Sequence, residues 1–434
     1  MQKMVIKNFG PVKDCELYIN DFTLFIGPQA SGKSTISKCI YFFKSLRDDF
    51  FKFAIADIEL DGSFMPMTAF EKVVRKKFVD LFGTPEHSAE TLLSFTFKEY
   101  YDVTLTFEDT IKYVNIKYSA DLLKKLRQMI TMTEALQKNI NSTLLDIDGT
   151  LAFESLKRRS LIGKLQEKLN IIFDDDRELV FIPSGRSLLA VLADYVQLLS
   201  TMELDYITQE FLTRISNTKR KFKKSIRELI SERQELTMQH VNFENVNLAE
   251  GLIYSILKGE YRNVDGEDKV YLKSESKHIK LNYASSGQQE SIWILYLLFF
   301  HILENRKAFV IIEEPEAHLF PEAQAGIVGL ISLFVNSNEN QVVITTHSPY
   351  ILSCVNNLIY ANKVGKSKTE QVSSIINPKF WLDTTKTAAY RIGGKDNVYM
   401  KDIIDKELGQ IMEAEIDEAS TKNNEDYYKL YYLE

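Results

Sequence analysis

Gly27-Pro28-Gln29-Ala30-Ser31-Gly32-Lys33-Ser34-Thr35 fits the pattern GxxxxGK[ST], whose residue types suit the handling of phosphate. Its glycines let backbone N–H groups turn inward around an anion, and a helix starting at its end adds a positive terminus. Lys33 would reach the β- and γ-phosphates of a nucleoside triphosphate, and the Ser34 hydroxyl would ligate Mg²⁺. An ordinary glycine-containing turn is the plain alternative. The context argues against it, because the apolar stretch CELYINDFTLFI (15–26) leads in and the helical stretch SGKSTISKCIYFFKSL follows.

Three further segments complete a possible site. Phe309-Val-Ile-Ile-Glu313-Glu314-Pro315 puts two acids at the end of an apolar run. If that run is a buried strand, the acids lie at the sheet edge where open α/β folds bind ligands. Glu313 is then the candidate Mg²⁺ ligand, directly or through water, and Glu314 the general base that polarises the attacking water. Val342-Val-Ile-Thr-Thr-His347-Ser348-Pro349 repeats the arrangement, with His347 as a donor to a γ-phosphate oxygen. Solvated acids and a structural histidine are the plain alternatives. The phosphate loop weighs against both. Tyr283-Ala284-Ser285-Ser286-Gly287-Gln288-Gln289-Glu290 precedes an apolar helix and offers hydroxyls and unpaired N–H groups to an anion. In isolation it reads as a helix cap, Ser285 or Ser286 with Gln289 or Glu290 as partner. Its order and spacing favour both roles at once.

Residues 3–8 and 15–26 have strand composition. Beyond about residue 60 the character changes: residues 91–119 alternate like a β-meander, and 120–141, 154–171 and 203–240 carry helical spacing with many charges. Residues 270–284 return to strand. A helix (about 287–304), an apolar strand (308–312), a helix (about 321–335) and a second apolar strand (341–346) follow. Continuous apolar strands alternating with helices indicate a parallel sheet covered on both faces. The expected organisation is an α/β fold whose nucleotide-binding domain is split. Residues 1–60 form one lobe, 61–265 a mixed helical and β insertion, 266–370 a second lobe, and 371–434 a helical tail.

The net charge of −7 argues against bulk electrostatic adhesion to DNA without excluding a local basic patch. Cys15, Cys39 and Cys354 form no CxxC pair, which makes a disulfide framework or structural zinc improbable. The N-terminus lacks an apolar signal core. The longest apolar run, Ile294 to Leu303, falls short of the roughly 20 residues a bilayer needs. A cytoplasmic chain with no membrane partner is expected.

These elements, in this order, resemble the ABC ATPase domain, a P-loop NTPase. Walker A falls at 27–35, the signature at 284–288, Walker B at 309–314 and the switch histidine at 347. The opening KNFGPVKDCELYINDFTLFIGPQASGKST, together with IIEEPEAHLFPEAQ and TTHSPYILSCVNNLIYANKV, is similar to the RecF/SMC/OLD branch and unlike transporters. FIPSGRSLL (181–189) resembles a stretch in ATPases of bacterial anti-phage systems such as Septu and PARIS. The resemblance covers roughly 1–40, 270–365 and 180–190. It implies ATP and Mg²⁺ as cofactors and a homodimer, or a higher oligomer of dimers. In such a dimer Ser285, Ser286, Gly287 and Gln288 close over the nucleotide of a second subunit. Gln29 stands where this branch usually has Asn, Glu313 replaces the usual Asp, and Ser286 replaces a glycine, a change expected to weaken or slow that closure. The Q-loop glutamine is not placed. Arg186 is a candidate supporting or interface residue.

OLD-type proteins carry a nuclease that needs an Asp-x-Asp pair for metals. Residues 348–434 contain none. Asp146-Ile-Asp148 and Asp174-Asp-Asp176 have the spacing but read as solvated turns. The basic run Arg214 to Arg227 reads first as a solvated helix, and second as a contact for DNA or an acidic protein such as a phage product. Four functions follow. The first is an ATP-gated dimeric switch or sensor in anti-phage defence that controls a separate effector. The others are a RecF-like DNA-repair ATPase, a transporter ATPase and an OLD-type nuclease.

Overall fold

The computed structural model describes residues 2–59, 67–83, 90–108, 111–143, 151–192, 204–236, 241–272, 277–393 and 398–412. The chain forms two compact units, Met1–Ile19 with Thr35–Leu179, and Asn20–Ser34 with Val180–Glu434.

The first unit is built on a five-stranded sheet in the order β2-β1-β4-β5-β6. Its strands are β1 (Lys3–Phe9), β2 (Val12–Tyr18), β4 (Leu92–Lys98), β5 (Tyr101–Glu108) and β6 (Ile111–Tyr118). All neighbours are antiparallel, and the meander expected from 91–119 is β4-β5-β6. Along β4 every second residue is buried, the period of a half-covered strand. Helices α1 (Lys33–Glu59), α2 (Met67–Phe82), α3 (Ala120–Thr143) and α4 (Leu151–Phe173) belong mainly to this unit. The 27 residues of α1 contain neither Gly nor Pro, which lets one helix run uninterrupted. Much of the chain's phenylalanine gathers here. Phe9 meets Phe82 at 5.1 Å, Phe42 meets Phe43 at 5.2 Å, and Phe50 meets Phe70 at 5.0 Å between ring centroids. Such pairs add about 0.5–1.5 kcal/mol each beyond area burial.

One sequence expectation is corrected in this unit. Asp174-Asp-Asp176 is not a fully solvated turn, because the Asp175 side chain is only 10% exposed and is ion-paired with Lys44 and with Arg177 at 3.2 Å. Burial pushes the Asp175 carboxyl up, but Lys44 and Arg177 together hold it below the usual carboxylate range. Asp146 and Asp148 lie outside the described residues.

The second unit holds a six-stranded sheet in the order β14-β13-β3-β12-β11-β7. Its strands are β3 (Phe22–Ile26), β7 (Glu178–Ile182), β11 (Ala308–Glu313), β12 (Gln341–Thr346), β13 (Thr387–Ile392) and β14 (Met400–Asp402). The β11/β12, β12/β3 and β3/β13 pairs are parallel, and β14 joins antiparallel at one edge. Strand β11 is buried at every position, the pattern expected when helices cover both faces. The helices of this unit are α5 (Arg186–Leu192), α6 (Tyr206–Lys219), α7 (Ile226–Glu235), α8 (Phe243–Leu257), α9 (Ser286–Glu304), α10 (Pro321–Val335), α11 (Pro349–Gly365) and α12 (Thr369–Ser373). A smaller antiparallel sheet of β8 (Glu260–Val264), β9 (Glu267–Tyr271) and β10 (His278–Lys280) and a hairpin of β15 (Ile404–Asp405) and β16 (Gln410–Ile411) complete the unit. The expected mixed α/β P-loop ATPase fold is present.

Several elements differ from expectation. The stretch 15–26 is two strands in two sheets, β2 and β3, because the chain breaks at Asn20-Asp21. The helical run 203–240 is interrupted at 220–225, where Ser225 and Glu228 form a capping box that starts α7. Residues 270–284 hold β10 and a 3₁₀ turn instead of one long strand. The region after 370 is not simply helical: β13 lies beside β3 in the main sheet, and residues 400–411 form short strands. The remainder of the expected tail, 413–434, lies outside the described residues. No helix among the described residues is long and apolar enough to cross a membrane.

Candidate functional site

Strand register decides where the site lies. Thr346 pairs with Ile26, Arg391 with Ile26, and Glu313 with Thr345, so four strands end at one level. The residues that follow those ends are Gly27, Gly393, Glu314 and His347. Parallel strands thus bring to the C-terminal edge of one sheet the phosphate loop and, more than 280 positions beyond Gly27, the acids and the histidine.

The phosphate loop leaves β3 and enters α1 at Lys33. Gln29 and Ala30 are exposed in its turn, and Ala30 (φ 60°) and Gly32 (φ 99°) are in left-handed conformations. Non-glycine residues rarely adopt that conformation, and it persists where the surroundings enforce it. Gly27 is required by close approach, since a Cβ there would sit 2.2 Å from the Ile392 carbonyl oxygen at the end of β13. The Tyr399 hydroxyl donates to the Ser31 carbonyl at 2.5 Å. Ser34 is exposed, and Thr35 follows it in the first turn of α1.

Lys33 is 5% exposed and donates to the carbonyls of Gly27 (2.8 Å) and Pro28 (2.9 Å). Its Nζ is 3.4 Å from His347 Nδ1. Burial is the main influence on its titration and pushes it down to about 8 against the opposing pull of Glu314 and Glu316. His347 Nε2 is in turn 3.4 Å from Glu314 Oε1. With a protonated Lys33 donating to Nδ1, the ring proton belongs on Nε2, where it faces the carboxylate. Lysine, imidazole and carboxylate therefore form one line.

Neighbouring groups hold this line in place. Glu316 Oε1 accepts from the Thr346 hydroxyl at 2.6 Å and from the His347 backbone N–H at 2.8 Å. Glu314 is left-handed (φ 43°), and its N–H donates to the Thr345 carbonyl at 2.9 Å. Glu313 is 6% exposed and accepts from the Ser184 N–H at 3.4 Å. Arg186 is fully buried, with its Nη1 donating to the Glu313 carbonyl (2.6 Å) and its Nη2 to the Glu314 carbonyl (2.8 Å). As the interface residue the sequence allowed, Arg186 is excluded by that burial within this chain. Its supporting contacts are to the acid-pair backbone. Glu316 and Thr346 went unnoticed in the sequence. Their signal was the acid two residues beyond Glu314 and the hydroxyl just before His347.

Residues 285–288 lie apart from this line. Ser285 caps α9, and its box partner is Gln288, not Gln289 or Glu290. Gln289 instead donates to the carbonyls of Leu281, Asn282 and Ala284, and Glu290 accepts from Arg186 and Ser187. Ser285, Ser286, Gly287 and Gln288 line a cavity of about 450 Å³ with Lys258, His318 and Phe320, to which no phosphate-loop residue contributes. Gly287 is needed there because a Cβ would lie 2.8 Å from the His318 carbonyl oxygen.

The comparisons with known proteins give the family. The sequence model of the AAA ATPase domain family matches residues 1–352. The chain belongs to that family and is a nucleotide-binding ATPase. No curated protein matches it. Among solved structures, it is similar to an SMC head bound to the C-terminal winged-helix domain of ScpA, with 11% identity, 93% of this chain and 98% of that one covered, and a TM-score of 0.43. It is also similar to a Pyrococcus furiosus Smc head with an extended coiled coil (15% identity, 82% and 92% covered, TM-score 0.37). A third likeness is to the SMC head domain of Thermotoga maritima (14% identity, 81% and 90% covered, TM-score 0.34).

Proposed function

We propose that the chain is an ABC-type ATPase. It binds ATP with Mg²⁺ at Gly27–Thr35, completes the site with Ser285–Gln288 of a second copy, and serves as a switch for a separate effector in bacterial anti-phage defence. The observation that carries the ATPase reading is the separation within one chain. Lys33, Glu314 and His347 meet at one sheet edge, whereas Ser285–Gln288 line a different cavity. In the proposed dimer a second copy supplies the missing half.

The residues fit the chemistry. Lys33 now spends its donors on two loop carbonyls and an imidazole, and anionic phosphate oxygens are stronger acceptors. Ser34 and Glu313 offer the hard oxygen donors that suit Mg²⁺, which when bound neutralises phosphate charge. Glu314 orients water, and His347 donates to the γ-phosphate as charge redistributes. Hydrolysis then weakens the seam, and the ATP state sets the assembly. The defence assignment is supported by the similarity of FIPSGRSLL (181–189) to a stretch in anti-phage ATPases.

The test is turnover per protomer against protein concentration, with mass measured with and without ATP. The rate should rise with concentration, Glu314→Gln should accumulate an ATP-bound dimer, and Lys33→Ala should abolish nucleotide binding. A strictly monomeric chain with concentration-independent turnover removes the shared site. Phage protection that survives deletion of the neighbouring gene removes the effector.

A further inference from the structure

We propose that Arg186 is a positioning residue that couples the signature helix to the acid pair, so that contact with the partner's nucleotide sets the pose of Glu314 over the chain's own. The inference rests on the ABC-type reading above. Its basis is the distribution of one side chain's bonds. The guanidinium donates to Glu290 O at 2.8 Å, Pro183 O at 2.7 Å, Glu313 O at 2.6 Å and Glu314 O at 2.8 Å. The Glu290 carboxylate answers by accepting from the Arg186 N–H at 3.0 Å, the Ser187 N–H at 3.0 Å and the Ser187 hydroxyl at 2.8 Å. Glu290 is in the second turn of α9, two residues beyond Gln288. A single rigid fork therefore ties the start of the signature helix to the peptide groups that carry both acids.

Packing alone does not call for this arrangement. A wholly buried arginine with one carboxylate and four neutral acceptors is a costly way to fill space, and an apolar side chain would stabilise the core as well or better. What the fork supplies is direction. The Glu314 peptide is left-handed and held from both sides, by Thr345 O on its N–H and by Arg186 on its carbonyl. Without the second hold the strained φ can relax and swing the carboxylate away. Lysine cannot replace the fork, because one compact ammonium does not span these planar, divergent acceptors. No bond of Arg186 reaches the phosphate loop, so its loss acts on turnover and spares binding.

The experiment uses the full chain as wild type, Arg186→Lys, Ser187→Ala, Glu314→Gln and the Arg186→Lys/Glu314→Gln double variant. The readouts are affinity for a fluorescent ATP analogue, kcat, KM and melting temperature. Arg186→Lys should keep affinity within about threefold while kcat falls about tenfold or more. Adding it to Glu314→Gln should cost nothing further, since it acts through that carboxylate. Wild-type kcat in Arg186→Lys, losses that add in the double variant, or a parallel fall of affinity, kcat and melting temperature would each overturn the coupling. If Arg186→Lys does not fold, Ser187→Ala decides. A kcat lowered about two- to fivefold at unchanged affinity supports the coupling, and an unchanged kcat overturns it. A wild-type chain without any turnover instead overturns the ATPase mechanism itself.

Discussion

Lys33 carries a pH signature at the candidate site. Its ordinary value of 10.5 falls to about 8, chiefly through burial. Between those values the unfolded chain holds a proton that the folded chain has released, so this group's contribution to stability rises with pH across that window. Nucleotide binding has the opposite sign. A triphosphate favours the ammonium, so above pH 8 the complex takes up a proton and affinity falls by up to about tenfold per pH unit. Calorimetry at pH 8.5 in two buffers of different ionisation enthalpy should detect that uptake, and equal heats in both would refute it. At this scale the sequence was informative where chemistry dictates spacing. The GxxxxGK[ST] loop, the acids after an apolar run and His347 after the next run all reach one edge. Arg186 and Glu290 were harder to interpret, because a buried arginine that bonds to carbonyls leaves no spacing rule. Only the fold places residue 186 against 290, 313 and 314.

Among the elements, two glycines separate two roles. Gly27→Ala sets a Cβ against the backbone of β13 at 2.2 Å and cannot be accommodated by a side chain moving aside. Nucleotide binding should be lost and the melting temperature lowered. Gly287→Ala presses at 2.8 Å on the His318 carbonyl, beside the cavity assigned to the second copy. Equilibrium binding of the fluorescent analogue should be unchanged, while ATP-driven dimerisation weakens about tenfold or more, as expected for a blocked interface contact. Loss of both in Gly287→Ala would contradict the separation. Strands β11 and β12 and helix α10 were legible to within a residue, because long apolar runs flanked by Pro and Asn leave little choice. Strand β13 was not. Thr387-Ala-Ala-Tyr-Arg-Ile392 is as long as β11 but carries small and polar residues in place of an apolar run, and its pairing with β3 is invisible to local pattern. The break before α7 could have been read from Ser225-Ile-Arg-Glu228, a capping box masked by the surrounding basic residues.

For the whole molecule, the basic run offers less free charge than its composition suggests. Lys219 pairs with Asp268, Lys224 with Glu232 and Arg227 with Glu250, and Lys221 lies 3.7 Å from the Phe300 ring centroid. Duplex DNA should accordingly bind weakly at physiological salt. Tight binding with a steep salt dependence in a titration would revive the repair-clamp alternative. The two compact units were only partly legible, because Asn20–Ser34 is taken from one end of the chain into a unit composed mostly of the other end.

That excursion sets a timetable during synthesis. Strand β3 leaves the ribosome long before its partners, since both of its hydrogen-bonded neighbours, β12 and β13, are translated more than 300 codons later. At roughly 5–20 residues per second, the apolar edges of Phe22–Ile26 wait on the order of tens of seconds for their partners. The newborn polypeptide is thus obliged to remain nucleotide-blind until β12 and β13 have been translated, and a chaperone that shields that strand would govern the yield.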